Sequence, residues 1–448
     1  MRPRGKGVLA HGPKRRRGAP PVEYSLLLTA TLCLIALGAV MVFSASSAKA
    51  LLAEGGGDGA EYLKRTVIFA AIGLLVMRIA SVRGVRVARA VTPLLLVVAI
   101  ALLAAVLVPG VGKTVNGAQR WMGAGLLQFQ PSELAKIAIV LYGAHLLASN
   151  PKRVRDLSGL VPLLAVMGLS IALIARQPDL GTTSVIVIGV GCMLLTAGVR
   201  PRTLAPVAAA VALIGIVMIA THPYQQERLT GFIDASADPN GAGYQSRQAT
   251  IAVGSGGLFG VGLGESVQKA SYLPEAHTDM IAAVIGEEAG LAGLGVLIAL
   301  FGIFGYAGFR AAHRARDRYS KLLCAGLTSL IMGQAAINLF AVLGLAPLTG
   351  VPLPFVSYGG TSLVVTLAAT GLILNVARGG GAAAGASGSR AAAASAGTRA
   401  AGPARLRVLK STGTDTRRRA PHGNSRNSGR RHGGARRSGA RGRRRAAR

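Results

Sequence analysis

The chain is dominated by a series of apolar stretches, each close to the ~20 residues needed to cross a bilayer. They fall near 24–43, 66–81, 90–109, 131–148, 160–175, 180–198, 204–221, 280–309, 322–345 and 361–377. About ten such stretches predict an all-α, polytopic membrane protein, because a spanning helix satisfies its backbone polar groups within its own segment. With 51% hydrophobic and 15% charged residues over 448 positions, a single soluble core is excluded. Tyr24 to Phe43 precedes Ala48-Lys49-Ala50, yet it is too long for a signal-peptide apolar region of about 7–15 residues.

A net charge of +33 would point a soluble chain towards nucleic acid. Here the arginines crowd the ends, with Arg15, Arg16 and Arg17 in one and Arg417, Arg418, Arg419, Arg443, Arg444 and Arg445 in the other. No nucleic acid is expected. Residues 1–22 read as a basic N-terminal segment and 23–378 as the membrane domain. From 379 to 448, Ala, Gly, Ser and Arg leave too little apolar surface to fold, so this part reads as a disordered Arg-rich tail. Anionic lipids, attracted by ~1 kcal/mol per basic residue, or an acidic cytoskeletal partner suit such a tail.

Short basic connections carry Arg83, Arg86 and Arg89, then Lys152, Arg153 and Arg155, then Arg200 and Arg202, then Arg310, Arg314, Arg316, Arg318 and Lys321. They alternate onto one side, which the excess of positive charge names the cytoplasm. An even span count puts both termini there and leaves a large loop, 222–279, outside. Cys33, Cys192 and Cys324 lie in apolar runs and predict neither disulfide nor metal site.

Two patterns mislead. Gly112-Lys113-Thr114 ends like a phosphate-binding loop, but Leu107 stands where its first glycine belongs. The cluster Gly254, Gly256, Gly257, Gly260, Gly262 and Gly264 lacks a strand–turn–helix context and reads as a flexible or re-entrant loop, so no nucleotide is expected.

Polar residues beside spans are costly and mark candidate function. Asn116-Gly117-Ala118-Gln119-Arg120-Trp121 precedes Gln130-Pro131-Ser132-Glu133-Leu134-Ala135-Lys136. Pro131 starts a helix, and the spacing of Glu133 and Lys136 places both on one face, as a salt bridge or as a pyrophosphate holder. Trp121 is an interfacial anchor or a substrate contact. Gln177-Pro178-Asp179 joins two spans, with Asp179 a helix cap or a site residue.

Glu275-Ala276-His277-Thr278-Asp279 runs straight into an apolar span. Desolvation at its mouth raises a carboxylate pKa towards that of a useful base, and helical spacing would stack Glu287 beneath Asp279. Capping by Asp279 is the alternative, and zinc at His277 lacks a second His or Cys at ligand spacing. Finally, Thr349 to Ser362 is rich in Pro and Gly, and with Asn338 and Ser357 reads as a shaped, non-helical loop buried in protein or lining a cavity.

Together with Phe43-Ser44-Ala45-Ser46-Ser47, these stretches, spread over Ser25 to Arg378, resemble the SEDS family, the FtsW/RodA/SpoVE group. The Leu-Pro-Glu-Ala-His-Thr-Asp run and basic tail are most similar to actinobacterial division members. Met280, Ile281, Ala282 and Ala283 depart from the aromatic residues the family often has after that aspartate.

The resemblance implies a ten-span fold and a peptidoglycan glycosyltransferase that polymerises lipid II at the septum. It implies a class B penicillin-binding protein as partner and divisome proteins, FtsZ among them through the tail. Asp279 matches the family's essential carboxylate. Arg120 and Lys136 are then expected to neutralise the departing pyrophosphate, with a divalent cation (Mg or Mn) bridging its oxygens. Trp121, Glu133, Gln177, Asp179, His277 and Ser357 are expected to bind substrate. A lipid II flippase and a scaffold recruiting the transpeptidase are the alternatives.

Overall fold

The computed structural model describes residues 20–52, 60–115, 118–123, 128–151, 156–234, 242–271, 273 and 275–379. The basic N-terminal residues 1–19, Asn116 and Gly117, the Lys152–Arg153–Arg155 connection and the tail from 380 lie outside them. The described helices are α1 (Val22–Leu52), α2 (Glu61–Ala105), α3 (Pro131–Ser149), α4 (Leu157–Ala175), α5 (Leu180–Ala197), α6 (Pro201–Thr221), α7 (Pro223–Ile233), α8 (Ala242–Ser255), α9 (Gln268–Ser271), α10 (Ile281–Glu288), α11 (Gly290–Arg314), α12 (Arg318–Val342) and α13 (Gly360–Ala377). An antiparallel hairpin, β1 (Gly112–Val115) and β2 (Ala118–Met122), stands between α2 and α3.

Among the described residues, nine helices are long and apolar enough to cross a membrane. The longest, α2, has 45 residues and would measure about 68 Å if straight, over twice the ~30 Å hydrocarbon thickness. Its two ends nevertheless meet the same region: Tyr62, Arg65 and Phe69 line a cavity with Arg120, and Arg120 and Leu103 both bind Gln177. Its middle reaches the other end of the bundle, where Arg89 stacks over Tyr319 at the start of α12. The helix therefore doubles back near Arg83 to Arg89 and supplies two crossings, which makes ten.

Small residues permit the tightest packing. A Cβ on Gly371 of α13 would lie 2.5 Å from the Met77 carbonyl of α2, and Asn375 donates to the Ser81 carbonyl at 2.8 Å. Close backbone approach and one buried hydrogen bond substitute for the hydrophobic drive that lipid removes. Polar residues concentrate on the most enclosed helices, α3 and α12, whose cores bury Glu133, Lys136, Gln334 and Asn338.

Two expectations change. The stretch 280–309 is not one helix, because α10 ends at Glu288 and α11 starts at Gly290 with φ +66°. The glycine-rich segment packs against this break, with Val261 and Gly262 donating backbone N–H groups to the carbonyls of Glu287 and Glu288 at 3.0 and 3.1 Å. It is re-entrant in that sense. The loop 222–279 also contains α7 and α8.

A Cβ at Gly260, where φ is +83°, would sit 2.1 Å from the Glu288 carbonyl, whereas nothing lies within 4 Å of one at Gly254. Gly260→Val is expected to abolish the monodisperse peak in detergent size-exclusion chromatography, and Gly254→Ala to leave it unchanged.

Candidate active site

The site is a cavity of about 480 Å³ at one end of the bundle. Four elements build it: β2, the segment before α10, α7 and the loop leading into α13, with the starts of α2 and α3 closing its sides. Its charged lining comprises Arg65, Arg120, Arg228, Glu133, Asp179, Glu275 and Asp279.

Asp279 is half-buried between the α7 and α13 sides. Asn338 donates to its backbone carbonyl at 2.7 Å and to that of Val351 at 2.8 Å, tying the aspartate segment to the shaped loop. The Thr278 hydroxyl lies 3.0 Å from Glu275 Oε2 and 3.3 Å from Asp279 Oδ1, linking the two carboxylates. Glu275 has φ +55°, a strained conformation that turns the chain into the cavity. Burial pushes the Asp279 pKa up to about 6; Arg228 opposes the rise and the Glu275 charge adds to it. The carboxylate is thereby poised near the pH at which a general base works.

Arg120 on β2 donates through Nε to the Gln177 carbonyl at 2.8 Å and through Nη2 to that of Pro178 at 2.5 Å. Arg228 donates through Nη1 to the Leu348 carbonyl at 2.9 Å. The Tyr224 ring takes both guanidinium groups, 5.7 Å from Arg120 and 4.6 Å from Arg228. Carbonyl bonds and stacking fix two cations in advance of any ligand, as cation–π contact and forked donors allow.

Trp121, Glu133, Asp179 and His277 also line the cavity. His277 packs its ring 4.7 Å from Tyr62 and 5.6 Å from Tyr358. Asp179 caps α5, accepting from Thr182 N at 2.9 Å and its hydroxyl at 2.8 Å. Glu133 binds Ser362 at 3.1 Å and Lys136 at 2.8 Å.

Three expected site residues stand apart from the lining. Lys136 lies behind Glu133, and its ammonium also donates to Gln334 Oε1 at 2.7 Å. Gln177 turns inward to the Leu103 carbonyl. Ser357 is spent on the Leu353 N–H at 2.8 Å. Glu287 does not stack beneath Asp279 either, because it faces Ser266 and the 267–268 backbone.

Lys136→Met would strand a buried carboxylate at a cost of about 3–5 kcal/mol. A large fall in detergent melting temperature is expected, with recovery in the pair Lys136→Met/Glu133→Gln.

Sequence reasoning missed Arg228, Tyr224 and Arg65 as lining residues, and named Glu275 only as part of the run that ends at Asp279. Arg65 obeys the rule that singled out Arg120, an ionisable residue beside a span. Arg228 carried no such signal, since it joins the site only through α7.

The family profile for FtsW, RodA and SpoVE, described as cell cycle protein, matches residues 24–380. The chain belongs to this family. It is 39% identical over 355 residues to a probable peptidoglycan glycosyltransferase FtsW of Mycobacterium tuberculosis, covering 78% of this chain and 67% of that one. Stage V sporulation protein E of Bacillus subtilis is 39% identical over 346 residues, covering 77% and 94%.

Among solved structures, a chain of a peptidoglycan synthase complex that coordinates polymerization and crosslinking superposes with TM-score 0.64 at 31% identity, covering 79% and 96%. The rod shape determining protein RodA of Thermus thermophilus gives 0.57 at 29% identity, covering 79% and 95%. Both likenesses extend over nearly the whole of the compared chain, so the helical bundle is shared with them.

Proposed function

We propose that this chain polymerises lipid II into glycan strands as the septal peptidoglycan glycosyltransferase, with Asp279 as general base. The observation that carries the mechanism is one cavity lined by a carboxylate with pKa about 6 beside Arg228, and by Arg120.

The 4-hydroxyl of an N-acetylglucosamine attacks C1 of the N-acetylmuramic acid at the end of another lipid-linked strand. The O–C1 bond forms, the C1–O bond to undecaprenyl pyrophosphate breaks, and the hydroxyl proton passes to Asp279. Negative charge gathers on the leaving pyrophosphate, where Arg120 and Arg228 are held ready to meet it. Preorganised cations lower such a barrier because they need no reorientation during the reaction.

The protein's own ligands are sparse for a metal: among the described residues no cluster of three or more His, Cys, Asp or Glu is present. Glu275 would offer a cavity carboxylate to a Mg²⁺ or Mn²⁺, leaving Asp279 free to act as base. Such an ion would add positive charge at the leaving group.

Orientation follows from charge. The end of the bundle opposite the cavity carries Arg89, Arg310, Arg314, Arg318 and Arg378, anchored on Tyr319, Glu23, the Ala197 carbonyl and Tyr24. Positive charge favours the cytoplasm, which supports a cavity facing outward and both termini facing inward; the division septum is part of the proposed role. The class B penicillin-binding protein is the partner, and the tail is assigned to divisome proteins such as FtsZ and to anionic lipid.

The test incubates labelled lipid II with the purified chain and its class B partner, the transpeptidase blocked by a β-lactam. Glycan ladders on a gel are expected. Lipid II moved across vesicles without any ladder would replace this reading with a flippase.

A further inference from the structure

The segment bearing Asp279 begins and ends at a second buried polar cluster that the chemistry above does not use. Lys269, before the segment, donates to Glu288 Oε1 at 2.6 Å; both side chains are at most 3% exposed. Glu287, one residue earlier, takes the Ser266 hydroxyl, Val267 N at 3.1 Å and Gln268 N at 3.4 Å on its carboxylate. Residues 266–269 are thus fastened to 287–288, closing a loop of about twenty residues whose far end presents Glu275, Thr278 and Asp279 to the cavity.

The same cluster reaches α1. The Ser44 hydroxyl lies 2.6 and 2.8 Å from the two Glu288 oxygens, and Lys269 Nζ donates to Ser44 Oγ at 2.9 Å. At the tip, the loop is pinned by Tyr358 N to the His277 carbonyl at 2.9 Å and by Asn338 to the Asp279 carbonyl.

We propose that Lys269, Glu287 and Glu288 are positioning residues: a buried clasp that sets where Asp279 stands and joins the catalytic loop to α1 through Ser44. The proposal rests on Asp279 being the base. Burying these charges is expensive, and an apolar pair of similar volume often folds as well or better. Their use here is accounted for by geometry, since charge-assisted hydrogen bonds fix a loop base in one arrangement where apolar contacts tolerate several. A displacement of about 1 Å at a reacting group can cost on the order of a hundredfold in rate.

Single substitutions such as Glu288→Ala would leave Lys269 unpaired and buried, so the informative variant is Lys269→Met/Glu288→Gln. In the full chain with its class B partner, this pair is expected to keep the melting temperature near wild type. The kcat for lipid II polymerisation should fall at least about tenfold with KM unchanged, and amide exchange in 275–280 should accelerate while exchange elsewhere in the bundle stays the same. Wild-type kcat together with unchanged exchange would overturn the clasp. Faster exchange at wild-type kcat would overturn its positioning role. Assaying Asp279→Asn alongside separates the two claims: a ladder from that variant discards the base assignment whatever the clasp variant does.

Discussion

Replacing Asp279 by asparagine is expected to lower lipid II polymerisation by about 10²–10⁴-fold, the usual worth of a positioned general base. The amide keeps the volume and the backbone bond from Asn338, so folding and lipid II binding should survive. Stability gives a second, independent readout. The folded pKa of about 6 lies above the unfolded value of ~3.9. Protonated Asp279 therefore favours the folded state, and this contribution, complete below the unfolded pKa, is lost as pH rises through about 6. At pH 7.5 the ionised carboxylate opposes folding, so Asp279→Asn should melt higher than wild type. Near pH 4 the difference should shrink towards zero. An inactive variant that also melts lower at pH 7.5 would mean that Asp279 supports the fold rather than the chemistry.

The second large effect concerns the two arginines on Tyr224. Arg228→Gln and Arg120→Gln are each expected to reduce kcat by about 10²-fold, the scale seen when one donor to developing negative charge is removed. Lysine should rescue poorly, because an ammonium cannot both bind a backbone carbonyl and stack as a planar fork does. The two sites share the Tyr224 ring, so the double variant should lose less than the sum of the single losses in free energy. Initial rates at saturating lipid II, measured for both singles and the double, check this. Full additivity would mean that the arginines act independently.

The crossings were legible because the bilayer imposes length. Arg83, Arg86 and Arg89 interrupt hydropathy where α2 doubles back, so the sequence separates two spans that helical hydrogen bonding runs together. The break at Gly290 was hidden, although Glu287 and Glu288 interrupt an otherwise apolar stretch, because the segment that packs against the break, at Gly260, lies thirty residues earlier. The candidate site was legible where local pattern and cavity coincide, as at Arg120, Trp121, Glu133, Asp179, His277 and Asp279. Lys136 and Ser357 have the right chemistry but are committed elsewhere: Gln334 takes the ammonium and Leu353 N–H the hydroxyl. Gln334 lies 198 residues from Lys136, beyond any spacing rule, whereas Ser357 closes a local turn four residues back that the Pro- and Gly-rich loop hid. Arg228 is the converse, a plain loop arginine that becomes a site residue only because α7 folds over the cavity.

The central claim, that Asp279 acts as the base, is most directly tested by the pH dependence of kcat/KM for lipid II polymerisation by the unmodified chain with its partner. That ratio reports the ionisation of free enzyme. A rise from low activity at pH 5 to a plateau by pH 7.5, with its midpoint near the Asp279 value of about 6, is the predicted result. Activity that stays constant from pH 5 to 7.5 would contradict it.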